Sequence, residues 1–100
     1  MEQFNVKILP AAQRDMDDIV EALNKLSPQT ALKYYDLLVE EIMSLSEMPE
    51  RCPLVRDTQL RLRGYRFLVV KKYLVFFVIV GRIVQIRRVV YGRRQYEFLL

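Results

Sequence analysis

The 100-residue chain has no histidine, a single cysteine (Cys52) and three well-separated glycines, Gly64, Gly81 and Gly92. Each shortage removes a chemistry. Without histidine the commonest general acid–base and metal ligand is gone, and one cysteine with no histidine cannot build the usual zinc site. A lone cysteine forms no intrachain disulfide, which suits a reducing compartment. Scattered glycines make no phosphate-cradling loop. Long apolar runs are missing too. The longest, Tyr73 to Val80, is far shorter than a bilayer span, and Met1-Glu2-Gln3-Phe4-Asn5 lacks the basic and apolar segments of a secretory leader. The expectation is a cytoplasmic protein with no membrane association, no metal and no cofactor.

The residues present describe one globular domain. Apolar residues make up 52% and charged residues 28%, an ordinary mix, and a chain this short buries a modest core whose stability a partner would raise. Charge is segregated. Positions 1–50 carry four Lys/Arg against ten Asp/Glu, a net of −6; positions 51–100 carry twelve against two, a net of +10. Such a dipolar molecule presents one basic surface, suited to a polyanion or an acidic protein.

Periodicity divides the chain. Phe4, Val6 and Ile8 alternate with polar residues as a short strand does. Pro10 suits the first turn of a helix, and Ala12, Met16, Ile19, Leu23 and Leu26 then form an apolar stripe in steps of four and three. Asp15, Asp17, Asp18 and Glu21 are expected on its solvated side, towards the N-terminal half, where they favour the helix dipole. Ser27-Pro28 reads as an N-cap and first residue of a second helix, with the stripe Ala31, Tyr35, Leu38, Ile42 and Leu45. The short joint predicts an antiparallel helical hairpin. Met48-Pro49 ends it, and residues 49–60 read as an irregular loop holding Cys52, either a thiolate activated by Arg51 or a half-buried small residue.

Three strands follow, at 65–70, 73–80 and 83–90, separated by Lys71-Lys72 and Gly81-Arg82. Gly81 fits the first central position of a type II′ turn. The predicted class is α+β, a single domain over 1–100 in the order β-αα-βββ, with the hairpin on one face of an antiparallel-rich sheet. Two-residue turns would pair Val80 with Ile83, Phe77 with Ile86, Phe76 with Arg87 and Val69 with Leu74. One face then holds Val75, Phe77, Val84, Ile86 and Val90, with Arg66 and Arg88 towards its edge, and is assigned to the helices. The other holds Phe67, Phe76, Val78, Gln85 and Arg87. It is too apolar to stand bare, which predicts cover from a partner or from the chain's own tail.

With histidine absent, arginine and tyrosine are the chemistry-bearing residues. Arg66, Arg87, Arg93 and Arg94 are candidate contacts to a target or partner, together with Tyr96. Arginine stabilises a phosphorane-like charge and a perturbed tyrosine moves a proton. If the protein cuts RNA, Arg87, Arg93, Arg94 and Tyr91 are the candidate catalytic residues.

The opening helix "LPAAQRDMDDIVEAL", the second helix "SPQTALKYYDLLVEEIMSLSEMP", the strand "KKYLVFFVI" and the closing "IVQIRRVVYGRRQYEFLL" resemble, in that order and over nearly the whole chain, the RelE/ParE superfamily of small bacterial toxins. The resemblance implies the toxin half of a type II toxin–antitoxin pair, neutralised by a small acidic antitoxin. RelE-like members cleave mRNA on the ribosome, whereas ParE-like members poison DNA gyrase. The RelE-like strand typically reads Tyr-Arg-Leu-Val-Tyr; here it is Tyr73-Leu74-Val75-Phe76-Phe77, so Leu74 takes the catalytic arginine position. The preceding strand's basic pair falls at Phe67 and Val69. An arginine after the C-terminal glycine survives as Arg93 or Arg94, while Tyr91 and Gln95 stand where many relatives have His and Asp. The wording is closer to the ParE-like branch, which implies a gyrase-directed binder. The other readings are a ribosome-dependent mRNA endoribonuclease and a non-toxic basic nucleic-acid-binding module.

Overall fold

The two helices begin where their prolines require. In the computed structural model, which describes residues 3–92, α1 runs Pro10–Leu26 and α2 runs Pro28–Met43, each with proline in its first turn. Ser27 is the whole joint. Its backbone N–H donates to Leu23 O and closes α1, while its Oγ accepts from Thr30 N at 3.2 Å and caps α2, an arrangement worth about 1 kcal/mol. The α1 stripe buries Ala12 and Met16 completely and half-buries Ile19. Leu26, the last residue of the stripe, is 84% exposed. In α2 the stripe departs from expectation at one position. Tyr34, not Tyr35, turns inward, packing edge-on to Tyr73 with ring centroids 6.0 Å apart, while Tyr35 lies on the outer side.

Among the described residues the sheet has four strands in the order β1-β4-β3-β2: β1 Asn5–Ile8, β2 Arg66–Val70, β3 Tyr73–Val80 and β4 Ile83–Tyr91. β1 lies parallel to β4, from Asn5↔Ile83 to Ile8↔Ile86, and the other pairings are antiparallel. Both tight turns hold their expected register, Val70↔Tyr73 and Val80↔Ile83. Gly81 takes φ +61°, as its turn demands. Lys71 takes φ +56° in the corresponding position, where an L side chain costs about 1 kcal/mol.

β4 is not regular. Phe77 faces Ile86, but Phe76 faces Arg88 instead of Arg87, so Arg87 is the extra residue of a bulge. Alternation inverts beyond it. Val89, rather than Val90, joins the helix-side core with Val75, Phe77, Val84 and Ile86, and Val90 crosses to the opposite face with Phe76 and Val78.

Among the described residues, part of the second face is covered by the chain's own middle, and the expected tail cover lies outside the described residues. Residues 49–60 are not an irregular loop. A 3-10 turn over Pro49–Arg51 leads to an extended stretch hydrogen-bonded to β2's outer edge, Val55 N to Tyr65 O at 2.9 Å and Phe67 N to Pro53 O at 3.2 Å. A short helix follows, α3 over Thr58–Leu62, capped by the Asp57 carboxylate on Leu60 N at 3.0 Å. Val55, Leu60 and Tyr65 from this strap bury Phe76, Val78 and Val90. Arg66 anchors it by donating to the carbonyls of Glu50 (3.2 Å) and Cys52 (2.6 Å). Arg51 gathers the carbonyls at the end of α2 in the same way, reaching Glu47 O at 2.6 Å.

Candidate functional site: the arginine-bearing end of β4

Among the described residues of the basic half, Arg51, Arg66, Arg82 and Arg88 hydrogen-bond within the molecule. Arg51 and Arg66 hold the strap, and Arg82 donates to Gln3 O at 3.3 Å. Arg88 meets Asp15 of α1 through two parallel bonds, Nε to Oδ2 at 2.6 Å and Nη2 to Oδ1 at 2.9 Å. Val89 N–H adds a third bond to the same carboxylate at 2.9 Å. The bond to Asp15 raises the Arg88 pKa, against a smaller opposing effect of burial. Asp15 therefore does not belong to the solvated acidic side of α1. It faces the sheet, with a side chain only 15% exposed.

Arg87 leaves β4 the other way. Its guanidinium carbon lies 5.8 Å from the Tyr65 ring centroid, within cation–π range. Its Nε is buried and has no hydrogen-bond partner among the described residues. Tyr91 sits on the helix side, 54% exposed, with its ring 5.5 Å from that of Tyr73. Arg87 and Tyr91 are thus not brought together: they occupy opposite faces of one strand. Burial pushes the Tyr73 hydroxyl pKa up, with smaller contributions from Tyr34 and Tyr91, which disfavours Tyr73 as a base near neutral pH. Burial likewise pushes up the Cys52 thiol, partly offset by Arg51 and Arg66, so Cys52 is a buried core thiol and not an activated one. Gly92, at φ +72°, ends the strand and donates to Lys72 O at 2.8 Å. The candidates Arg93, Arg94 and Tyr96 lie outside the described residues.

At the positions where the resemblance would put ribonuclease cations, the strap-side face carries Phe67 and Leu74, half-buried, and Val69, 58% exposed. Sequence reading missed two elements near the site. Asp15 carries the same signal as Asp17 and Asp18, and α3 is announced only by its Asp57 cap. On the far side of the molecule a groove of about 630 Å³ runs between α1 and α2, lined by Val20, Ala31, Leu32 and Tyr35 with Asp17 and Glu21 at its rim. Among the described residues no helix is long and apolar enough to cross a membrane.

This arrangement, a helical hairpin on a four-stranded mixed sheet, is the α+β fold of RelE/ParE-like toxins. A solved chromosomal ParDE toxin–antitoxin system from P. aeruginosa superposes with a TM-score of 0.77, covering 93% of this chain and 100% of that one at 23% identity. The RelBE2 toxin–antitoxin complex from Mycobacterium tuberculosis gives a TM-score of 0.61, covering 89% and 98% at 24% identity. At these identities the likeness shows the fold. A search of curated proteins finds no match. The sequence itself goes further: residues 6–96 match the ParE toxin of the type II toxin–antitoxin system parDE. The chain belongs to the ParE toxin family, within the RelE/ParE superfamily.

Proposed function

We propose that this toxin arrests growth by binding DNA gyrase, without cutting RNA, and that an acidic antitoxin holds it inactive. One observation carries the reading. The sheet face expected to bear a ribonuclease's cations carries Phe67, Val69 and Leu74 and is partly closed by the strap. A nuclease must bring a cation and a proton-transferring group to the same phosphate, and Arg87 and Tyr91 point away from each other across the sheet. A binder needs no such convergence. It needs a fixed surface with anchors, and the stacked Arg87 guanidinium and the exposed Tyr91 ring supply two. The net charge of +10 over positions 51–100 suits an acidic antitoxin.

The test is inhibition of purified gyrase by the purified chain, followed by loss of supercoiling activity, alongside primer extension on cellular mRNA after induction. Inhibited gyrase with intact mRNA is the expected result. Codon-dependent breaks in ribosome-bound mRNA with gyrase unaffected would replace this reading with the RelE-like one. Folded protein that leaves growth untouched would remove both.

A further inference from the structure

β1 ends at Ile8, where Ile8 pairs with Ile86 and Leu9 N–H donates to Ile86 O at 3.0 Å. β4 continues to Tyr91, with no strand on that side among the described residues. An unpaired backbone donor there would be costly once α1 packs over it. The acceptor comes from α1: Asp15 Oδ2 takes Val89 N–H at 2.9 Å. The same carboxylate takes Arg88 Nε and Nη2, and its neighbour Met16 is fully buried, which fixes Asp15 against the sheet.

The three bonds converge on the bulge. Two consecutive arginines sit at this point, and only one of them can meet Asp15. Because Arg88 does, Arg87 is committed to the strap side, where it lies over Tyr65 with its Nε unpaired among the described residues. Arg87 is half-buried, its Nε is enclosed, and no carboxylate among the described residues pairs with it, so its guanidinium keeps a full positive charge for which a carboxylate or phosphate oxygen is the fitting partner.

We propose that Asp15 is a positioning residue that locks the β4 bulge, and that the group it positions is Arg87, seated on Tyr65 with its Nε enclosed and its half-buried guanidinium set to receive an oxyanion at its outer edge. The inference rests on the reading of Arg87 as a contact residue in the proposed function. Asp15 never touches the ligand. It acts through Arg88 and the Val89 amide, and it also fixes the inverted alternation that sends Tyr91 to the opposite face.

The experiment follows the Arg87 Nε–H resonance by NMR in the full chain while inorganic phosphate, and separately acetate, is titrated in. In the native chain the resonance should carry a ring-current shift from Tyr65 and should move saturably with at least one anion. Phosphate preference points to a phosphoryl ligand and acetate preference to a carboxylate. Asp15→Asn should erase the ring-current shift and weaken the anion response about tenfold, the scale of one charge-assisted hydrogen bond. Should that variant not fold, Arg88→Lys, which keeps the charge and the Val89 bond but loses the fork, should give a smaller change in the same direction. Ser27→Ala is the control for destabilisation alone and should leave the Arg87 signal in place. An Arg87 resonance unmoved by both anions, or unchanged in both clamp variants, overturns the inference while leaving the gyrase reading intact. Conversely, an anion site that behaves as described in a chain whose Arg87→Lys variant still inhibits gyrase fully would overturn the role given to Arg87 there, and not the geometry.

Discussion

The two faces of the sheet are built differently. One is covered by the α1–α2 hairpin, two long helices that completely bury Met16, Leu38, Ile42, Val75, Phe77, Val84 and Ile86. The other is covered by a strap whose helix has five residues and which leaves Val69 exposed and Phe67 and Leu74 half-buried. Burial per residue is nevertheless alike at the centre: Phe76 and Phe77, adjacent in β3 and on opposite faces, are both fully buried. The difference lies in what holds the cover down. The hairpin is tied by its length, the Ser27 joint and Asp15; the strap is tied by two backbone hydrogen bonds to the edge of β2, the Arg66 hydrogen bonds, the Asp57 cap and a few apolar contacts. The weakly covered face carries Arg87. The longer cover lies on one side of the sheet and the candidate recognition group on the other.

Four measurements would sharpen or break this contrast. Phe77→Ala should cost the most, about 4 kcal/mol, and Phe76→Ala about 3 kcal/mol because the strap can settle into part of the space. Urea unfolding reads both, and equal losses would mean that the strap is as rigid as the hairpin. Leu60→Ala should cost about 2 kcal/mol. Amide exchange should quicken across 53–65 while α1 and α2 keep their protection, and uniform quickening would show one cooperative unit instead of two. The caps should separate in kind. Ser27→Ala should lower the global transition by about 1 kcal/mol, whereas Asp57→Ala, of similar intrinsic size, should appear mainly as faster local exchange in the strap.

The smallest effect is a pH dependence confined to the helix side. The Cys52 and Tyr73 pKa values are raised above their ordinary values of 9.0 and 10.0, so folding favours their neutral forms. Their contribution is fully present below those ordinary values and is lost as pH rises through the folded ones. Stability should therefore begin to fall above pH 9, more steeply above pH 10, and Tyr73→Phe should flatten the upper part. A fall beginning near neutral pH would assign the loss to other groups.

Much of this was legible in the sequence because it follows a period. The four-and-three spacing of Ala12, Met16, Ile19 and of Leu38, Ile42, Leu45 marks helices, and Gly81 marks its turn. What escaped has no period to show. A five-residue helix completes too few turns to register. Tyr34 and Tyr35 are adjacent residues of one type, and a stripe accepts either until Tyr73 is placed opposite. The bulge is invisible because Arg87 and Arg88 are alike, and nothing local says that the second has a carboxylate waiting on a helix 73 residues earlier. The site suffered most, since its geometry depends on that one long-range contact.

The parallel pairing of β1 with β4 has a consequence for how the protein is made. β4 is an inner strand, yet it is the last of the described strands in sequence, and it joins Asn5 to Ile83 and Asp15 to Arg88. Contacts of such wide sequence separation form late and slowly. A nascent chain emerging at about 5–20 residues per second can assemble the helical hairpin early, but it has no sheet for the hairpin to sit on. The bulge, the seating of Arg87 and the separation of the two faces all arise together after position 91 has cleared the ribosome. Until then the nascent molecule is an amphipathic hairpin with its apolar side uncovered, and the surface that holds Arg87 takes shape only once β4 is in place.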